Sequence, residues 1–251
     1  MWEKELEIAR KAAMQAGNIL VQGAPRIVEQ NGKDIKLNLD TRSEEAILDC
    51  LRQSEYMTVL SEEKGLVGGN QPAFMWIVDP LDGTANYWKG MKELCCVSIA
   101  LWKDGQPVLG VINRFFTNEI YVGIVGEGAW KNETSLATSD VNQVGQAVLA
   151  TGLPLHRDYS DQGLSGLIQT MQRFKKVRMF GSAALMGCFV AEGKIDAYME
   201  DEIMLWDVAA AAAIAKAAGA EIELQPTKNH QCICKFFANQ ELKESYYADR
   251  V

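Results

Sequence analysis

The order in which the hydrophobic period changes along the chain constrains its fold more than any other feature. Residues 5–21 carry Leu6, Ala9, Ala13, Ala16 and Leu20 at helical spacing, with Gly17 a weak point. Residues 41–52 read as a second helix with Glu44 and Glu45 in its first turn. From residue 58 the pattern shortens. Residues 58–61 and 74–78 are apolar runs bounded by polar or turn residues, as buried strands are. Residues 97–102, 108–113 and 119–124 follow as a meander, with Asp104-Gly105 and Thr117-Asn118 as turns. The second half alternates: a strand at 147–151, helices at 160–174 and 183–191, and a strand at 195–199. An Ala-rich helix at 207–218, a strand at 221–224 ended by Pro226, and a closing strand at 237–239 complete it. Helices, then strands, then alternation predict an α+β or layered α/β fold with mixed sheets between helix pairs. No repeat or long Pro/Gly/Ser linker interrupts the 251 residues, so one domain over 1–251 is expected, with lobes of roughly 1–140 and 141–251.

Charge narrows the function classes. With 25 basic and 33 acidic residues the net charge is −8, and dense basic runs are few, which argues against nucleic acid as a partner. The run Arg173-Phe174-Lys175-Lys176-Val177-Arg178 reads as a solvated helix end. Apolar runs such as 208–215 fall far short of the ~20 residues of a bilayer span, so no membrane partner is expected. The acids in Met1-Trp2-Glu3-Lys4-Glu5 are unlike a secretory signal, which predicts a soluble, cytoplasmic chain. Cys50, Cys95, Cys96, Cys188, Cys232 and Cys234 are then expected as reduced, buried thiols. His156 and His230 lack the i, i+4 partner of a helical zinc site.

The chemistry concentrates in Trp76-Ile77-Val78-Asp79-Pro80-Leu81-Asp82-Gly83-Thr84. A buried strand runs into two carboxylates at i, i+3, and Pro80 fixes one backbone angle between them, so a turn there can aim both at one point. Hard cations such as Mg²⁺ need oxygen ligands gathered in this way. An Asx-rich turn explains the same residues without chemistry. The wider set favours chemistry: Glu62 and Glu63 end another apolar run, Asp207 opens the Ala-rich helix, and Asp40 precedes the second helix. Asp40 and Asp207 also suit helix capping. Carboxylates brought together without cations would repel and raise one another's pKa.

Asp79-Pro80-Leu81-Asp82-Gly83-Thr84, with Trp76 ahead and Asn86 behind, resembles the first signature of the inositol monophosphatase family. Trp206-Asp207-Val208-Ala209-Ala210 resembles its second signature, and Ser61-Glu62-Glu63 its Gly-Glu-Glu element, with Ser61 in place of the usual Gly. Order and spacing agree along essentially the whole chain. The resemblance implies a layered α-β-α-β-α sandwich of the inositol monophosphatase and fructose-1,6-bisphosphatase type, and two or three Mg²⁺ ions. It implies that Glu62, Asp79 and the Leu81 carbonyl hold the first ion, and that Asp79, Asp82 and Asp207 hold the second. Glu62 would help a weaker third ion through waters. Thr84, supported by Asp40, would activate a water, and the amides of Gly83 and Thr84 would meet the phosphate. Gly181-Ser182-Ala183 matches a substrate-side element, and Glu200 stands where the family often binds a substrate hydroxyl. Lithium sensitivity and a homodimer are implied too. The stretch Asp34-Ile35-Lys36-Leu37-Asn38-Leu39-Asp40 departs from the family pattern, and the Gly32-Lys33 loop looks short.

The expected function is Mg²⁺-dependent hydrolysis of a small phosphorylated polyol or sugar, inositol monophosphate first. A 3′(2′),5′-bisphosphate nucleotidase is an alternative in the same superfamily, and a scaffold or regulatory protein on the same fold is the non-enzymatic one. Asp82-Gly83-Thr84 also resembles the end of the haloacid-dehalogenase motif, but that motif spaces its acids at i, i+2. The 1-3-5 ligand order of an EF-hand is absent, and Gly65-Leu66-Val67-Gly68-Gly69 lacks the Gly-Lys-Ser/Thr ending of a P-loop. A mobile loop beside Glu62 is the expected meaning of those glycines.

Overall fold

A computed structural model describes residues 2–32, 34–56, 58–69, 73–154 and 157–248. Five layers alternate. Helices α1 (Glu3–Gln22) and α2 (Asn38–Leu51) form the first, preceded on the α2 side by a hairpin of β1 (Ile27–Asn31) and β2 (Asp34–Leu37). Beneath them lies an eight-stranded sheet made of β3 (Val59–Ser61), β4 (Gly65–Val67), β5 (Phe74–Asp82), β6 (Cys96–Lys103), β7 (Gln106–Arg114), β8 (Glu119–Ile124), β9 (Gly128–Lys131) and β10 (Thr134–Ser135). Its spatial order is β10-β9-β8-β7-β6-β5-β3-β4, and only β3 and β5 run parallel. A five-residue helix, α3 (Thr84–Trp88), follows β5 directly. Between the strands of the second sheet, β11 (Val148–Ala150), β12 (Lys176–Arg178), β13 (Ala197–Met204), β14 (Glu221–Pro226) and β15 (Gln231–Phe237), come α4 (Asp161–Gln172), α5 (Ala183–Ala191) and α6 (Leu205–Ala217), with α7 (Gln240–Ala248) closing the chain. That sheet orders as β12-β11-β13-β15-β14.

Strand alternation sends side chains into different cores. Along β6, Val97, Ile99 and Leu101 pack toward α1 and α2, while Cys96, Ala100 and Trp102 face α6 on the other side. Tyr198 of β13 and Phe236 of β15 meet that same central layer, whereas Ala197, Met199 and Phe237 turn outward to Leu242 and Tyr246 of α7. Helix α6 is therefore enclosed on all sides, and Val208 to Ala215 are all buried. Gly110 of β7 lets the helix backbone rest on the sheet: a Cβ there would fall 2.3 Å from the Ala210 carbonyl oxygen. The layered α-β-α-β-α fold expected from the sequence is the fold observed.

Several boundaries differ from the sequence expectation. Both α2 and α6 begin earlier than expected, so Asp40 and Asp207 lie inside the first turn as its third residue, not ahead of the helix. In each case the carboxylate accepts the backbone N–H of the residue that precedes the helix, Leu37 at 2.7 Å for Asp40 and Met204 for Asp207. Residues 65–67 form edge strand β4, so the glycine-rich stretch is not simply a loop. Of the basic run, Arg173 caps α4 but residues 176–178 form edge strand β12. The closing strand is 231–237, and α7 after it has no counterpart in the expectation. Lys33 and His156 fall outside the described residues. All six cysteines are buried and free, and no described helix is long and apolar enough to cross a membrane.

Candidate active site

Two β-bulges build the site. Asp79 pairs with Ser98 and Asp82 with Cys96, so three steps along β5 match two along β6. The extra residue falls at Pro80-Leu81, where a residue without an N–H costs no ladder bond. What reads in sequence as an i, i+3 pair across a turn is thus an i, i+2 pair on a bulged strand, and both acids face one way. Strand β13 repeats the device: Glu200 pairs with Cys234 and Ile203 with Cys232, and Glu202 takes φ +60° in the bulge. Glu62 arrives beside Asp79 because β3 runs parallel to β5 and the Glu62 N–H continues the ladder to the Val78 carbonyl at 3.2 Å. Asp207 projects from the first turn of α6.

These elements enclose a cavity of about 230 Å³ lined by Glu62, Asp79, Leu81, Asp82, Gly83, Thr84, Gly181, Ser182, Ala183, Glu200 and Asp207. Every expected site residue except Asp40 is among them. Asp40 lines a neighbouring cavity of about 200 Å³ together with Thr84 and Glu62. No lysine, arginine or histidine is among the described residues that line the larger cavity. Desolvation raises every acid in it, and neighbouring like charges add to this at Glu62, Asp79, Glu200 and Asp207. Glu62 is pushed up to about 8, and Glu200, by burial, also to about 8. Asp79 and Asp207 stand well above the usual carboxylate range, through burial first and neighbouring acids second. Asp82 rises less, to about 6, because burial is opposed by hydrogen bonds from Ser182 and α5.

Those bonds revise one expectation. The Ser182 hydroxyl donates to Asp82 Oδ2 at 2.6 Å and accepts the Leu185 N–H at 3.3 Å, while the Ala184 N–H donates to the same Asp82 oxygen at 2.8 Å. Ser182 is 1% exposed, so it holds an acid in place and caps α5, with no hydroxyl hydrogen left for a substrate. Gly83 takes φ +89°, and a Cβ there would lie 2.7 Å from the Leu94 carbonyl oxygen, so only glycine fits. Asn86 ties the two walls together by donating to the carbonyls of Leu94 at 3.0 Å and Phe180 at 2.7 Å. Thr84 Oγ1 donates to the Leu81 carbonyl at 3.0 Å.

Sequence reasoning missed Gly152, Leu153, Pro154, Met186 and Ile203, which complete the lining. Gly152 had a readable signal, a Thr-Gly-Leu-Pro turn after a strand, but nothing local tied it to Glu200. A Cβ on Gly152 would sit 2.5 Å from Glu200 Oε1.

The donor set is oxygen only and lacks positive charge, which suits a hard divalent cation. Among the described residues no three Asp, Glu, His or Cys side chains already converge tightly enough to hold an ion. The carboxyl groups instead spend their bonding capacity on neighbours: Asp79 on Glu62 and on the Leu81 N–H at 2.9 Å, Asp82 on α5.

Comparison with known proteins gives this geometry a lineage. The model of the Inositol monophosphatase family matches residues 1–242. A protein of Pasteurella multocida named Nus factor SuhB is 35% identical over 224 residues, 85% of this chain and 82% of that protein. Among solved structures, an inositol monophosphatase from Anabaena has a TM-score of 0.86 at 29% identity, covering 98% of this chain and 95% of that one. The extragenic suppressor protein suhB of Bartonella henselae has a TM-score of 0.85 at 28% identity and covers 98% of each chain.

The exclusion of nucleic-acid-related partners does not stand beside relatives named as Nus factors. It failed because −8 is a sum over the chain, whereas binding is decided by local surface. Lys175, Lys176 and Arg178, for example, are all exposed at one sheet edge. With the family model running from residue 1 to 242 and solved members superposing along nearly all of the fold, this protein belongs to the inositol monophosphatase family.

Proposed function

We propose that this chain is a Mg²⁺-dependent phosphomonoesterase acting on a small phosphorylated polyol, with inositol monophosphate the first candidate. The observation that carries the reading is the convergence of five carboxyl groups, those of Asp79, Asp82 and Glu200 buried, on one cavity lined by no cationic side chain among the described residues. Ions would be held by Glu62, Asp79, the Leu81 carbonyl, Asp82 and Asp207. Bound there, Mg²⁺ supplies charge neutralisation for the phosphate and a water of lowered pKa.

The remaining work belongs to the chain. The Thr84 hydroxyl spends its hydrogen on the Leu81 carbonyl, so its lone pairs can accept a hydrogen bond from a water in the small cavity it shares with Asp40 and Glu62 and so orient that water. Asp40 is 2% exposed and fixed by the Leu37 N–H, which makes it a rigid acceptor beside that water. The amides of Gly83 and Thr84 would meet phosphate oxygens, and Gly181 and Ala183 shape the opposite wall. Glu200, on the cavity wall with its carboxyl buried, can accept a hydrogen bond from a polyol hydroxyl. A cavity of about 230 Å³ is below the ~300–1,000 Å³ common for drug-sized ligands and suits a ring-sized ester.

The test is phosphate release from inositol phosphates, adenosine bisphosphate, fructose bisphosphate and histidinol phosphate, each with Mg²⁺ and with a chelator. Mg²⁺-dependent turnover of a polyol ester is expected, with Li⁺ inhibiting by taking an ion position. Silence across the panel from folded protein would overturn the reading. The relatives' name favours a second role, as a protein factor acting through its surface. Asp79→Asn separates the two, since it should end turnover and leave a surface role untouched.

A further inference from the structure

Helix α2 contributes more to the site than Asp40. Asp40, Ser43 and Glu44 stand at i, i+3 and i+4, so they share one face, and all three are buried although polar. Each is spent on a different part of the site's framework. The Ser43 hydroxyl donates to the Pro80 carbonyl at 2.8 Å, pinning the bulge that sets Asp79 against Asp82. Glu44, fully buried, accepts the Ser61 hydroxyl at 2.5 Å and the Lys64 backbone N–H at 3.0 Å on the same oxygen, Oε1. The Lys64 ammonium lies 3.6 Å from its other oxygen. Ser61 and Lys64 bracket Glu62 and Glu63. One carboxylate on a helix therefore grips both ends of the turn that presents Glu62 to the cavity.

We infer that Glu44, acting through Ser61 and the Lys64 amide, is a positioning residue that fixes Glu62 for ion binding, an inference that rests on the cation-dependent reading of the site. The Ser61 position is where the resembling family signature carries glycine, which offers no hydroxyl to such a clasp. Here the side chain is completely buried and its hydrogen is committed. Without the clasp, the turn 61–64 keeps its ladder bond at Glu62 N–H but loses both side-chain tethers, and Glu62 must be ordered at the moment an ion binds. That cost falls on ion affinity. The chemical step at saturating ion is spared, because the bound ion then holds Glu62 itself.

The experiment measures Mn²⁺ and Mg²⁺ binding to the metal-free full chain by calorimetry, alongside the Mg²⁺ concentration giving half-maximal phosphate release. Glu44→Ala should weaken ion binding about tenfold, the size expected for one charge-assisted hydrogen bond expressed in affinity. Its kcat at saturating Mg²⁺ should stay within about twofold. Glu44→Gln should restore most of the loss, since its amide oxygen can still accept from Ser61 and Lys64. Ser61→Ala should weaken binding less than Glu44→Ala, and the double variant should bind like Glu44→Ala alone, because Ser61 acts through Glu44. Glu45→Gln, an exposed neighbour, should change nothing.

If Glu44→Ala does not fold, Ser61→Ala and Glu44→Gln carry the test. Ion affinities at the wild-type value in folded Ser61→Ala, with only thermal stability reduced, would overturn the positioning role and leave the site reading standing. No ion binding by the wild-type chain would overturn both.

Discussion

Raising the pH of the metal-free protein should destabilise it, and the size of the effect follows from the acid cluster. Asp82 binds its proton more tightly when folded, with its pKa raised from 3.8 to about 6. Between those values the folded state carries more protons than the unfolded chain, so unfolding free energy falls as pH rises. A shift of about two units corresponds to about 3 kcal/mol at ~1.4 kcal/mol per unit. Glu62, raised from 4.5 to about 8, extends the decline toward pH 8 but adds little to its size, because its side chain is exposed and solvent screens its charge. The acids share their charge and titrate as a group, so the several shifts do not simply add. A total loss on the order of 3–5 kcal/mol between pH 4 and pH 8 corresponds to a fall of roughly 10 °C in Tm for a chain of this length.

Thermal melts in chelator at steps of half a pH unit measure this directly. Mg²⁺ should recover little near pH 5, where protons hold the cluster together, and most near pH 8. Asp79→Asn removes one charge from the centre of the group, so its metal-free Tm should exceed that of the wild type at pH 8 and fall less steeply with pH. A wild-type Tm that is flat or rises over this range, or an Asp79→Asn slope equal to the wild-type slope, would refute the reasoning.

Other consequences are open to direct measurement. Asp79→Asn and Asp207→Asn should each lower phosphate release by about a thousandfold or more with the far-ultraviolet circular dichroism unchanged; the loss is that expected of transition-state charge stabilisation. Gly152→Ala should raise KM for a polyol ester by about fivefold or more with little change in Tm, because the atoms nearest its methyl group are all of the Glu200 carboxylate. Gly110→Ala should cost about 1–3 kcal/mol by forcing α6 off the sheet, read as a Tm drop of several degrees, whereas Gly145→Ala, with open space around its Cβ, should cost nothing of that kind.

The layers were legible in the sequence because each layer has its own period: α1 shows helical spacing, β6 to β8 show runs closed by turn pairs, and the Ala-rich stretch of α6 has length enough for a helix. Short edge elements were not. Strands β4 and β12 have three residues each and carry exposed side chains, so they have no period to read. The β1–β2 hairpin alternates too weakly to announce itself. The carboxyl groups of the cavity were legible as types at the ends of apolar runs, and the family signatures named their grouping. The Gly152–Pro154 wall and the reach of Glu44 to Ser61 were not, since they depend on which elements become neighbours. Ser182 lines the cavity, but its hydrogen goes to Asp82: whether a hydroxyl faces a ligand or a buried acid is decided by an Asp one hundred residues away.

A bulge is an insertion kept inside a strand, so the acid cluster depends on counting. If β5 instead paired with β6 residue for residue, with no residue bulged between Asp79 and Asp82, the ladder would run unbroken and the sheet would gain from it. Asp82 would then point to the opposite face, away from Asp79 and into the apolar layer. The same holds at β13, where regular pairing would turn Ile203 away from the face that Glu200 keeps. Sheet regularity and site geometry therefore pull against each other at two places. A chain of this kind is exposed to a specific loss, in which a one-residue slip of register yields a well-ordered sheet that no longer gathers its acids.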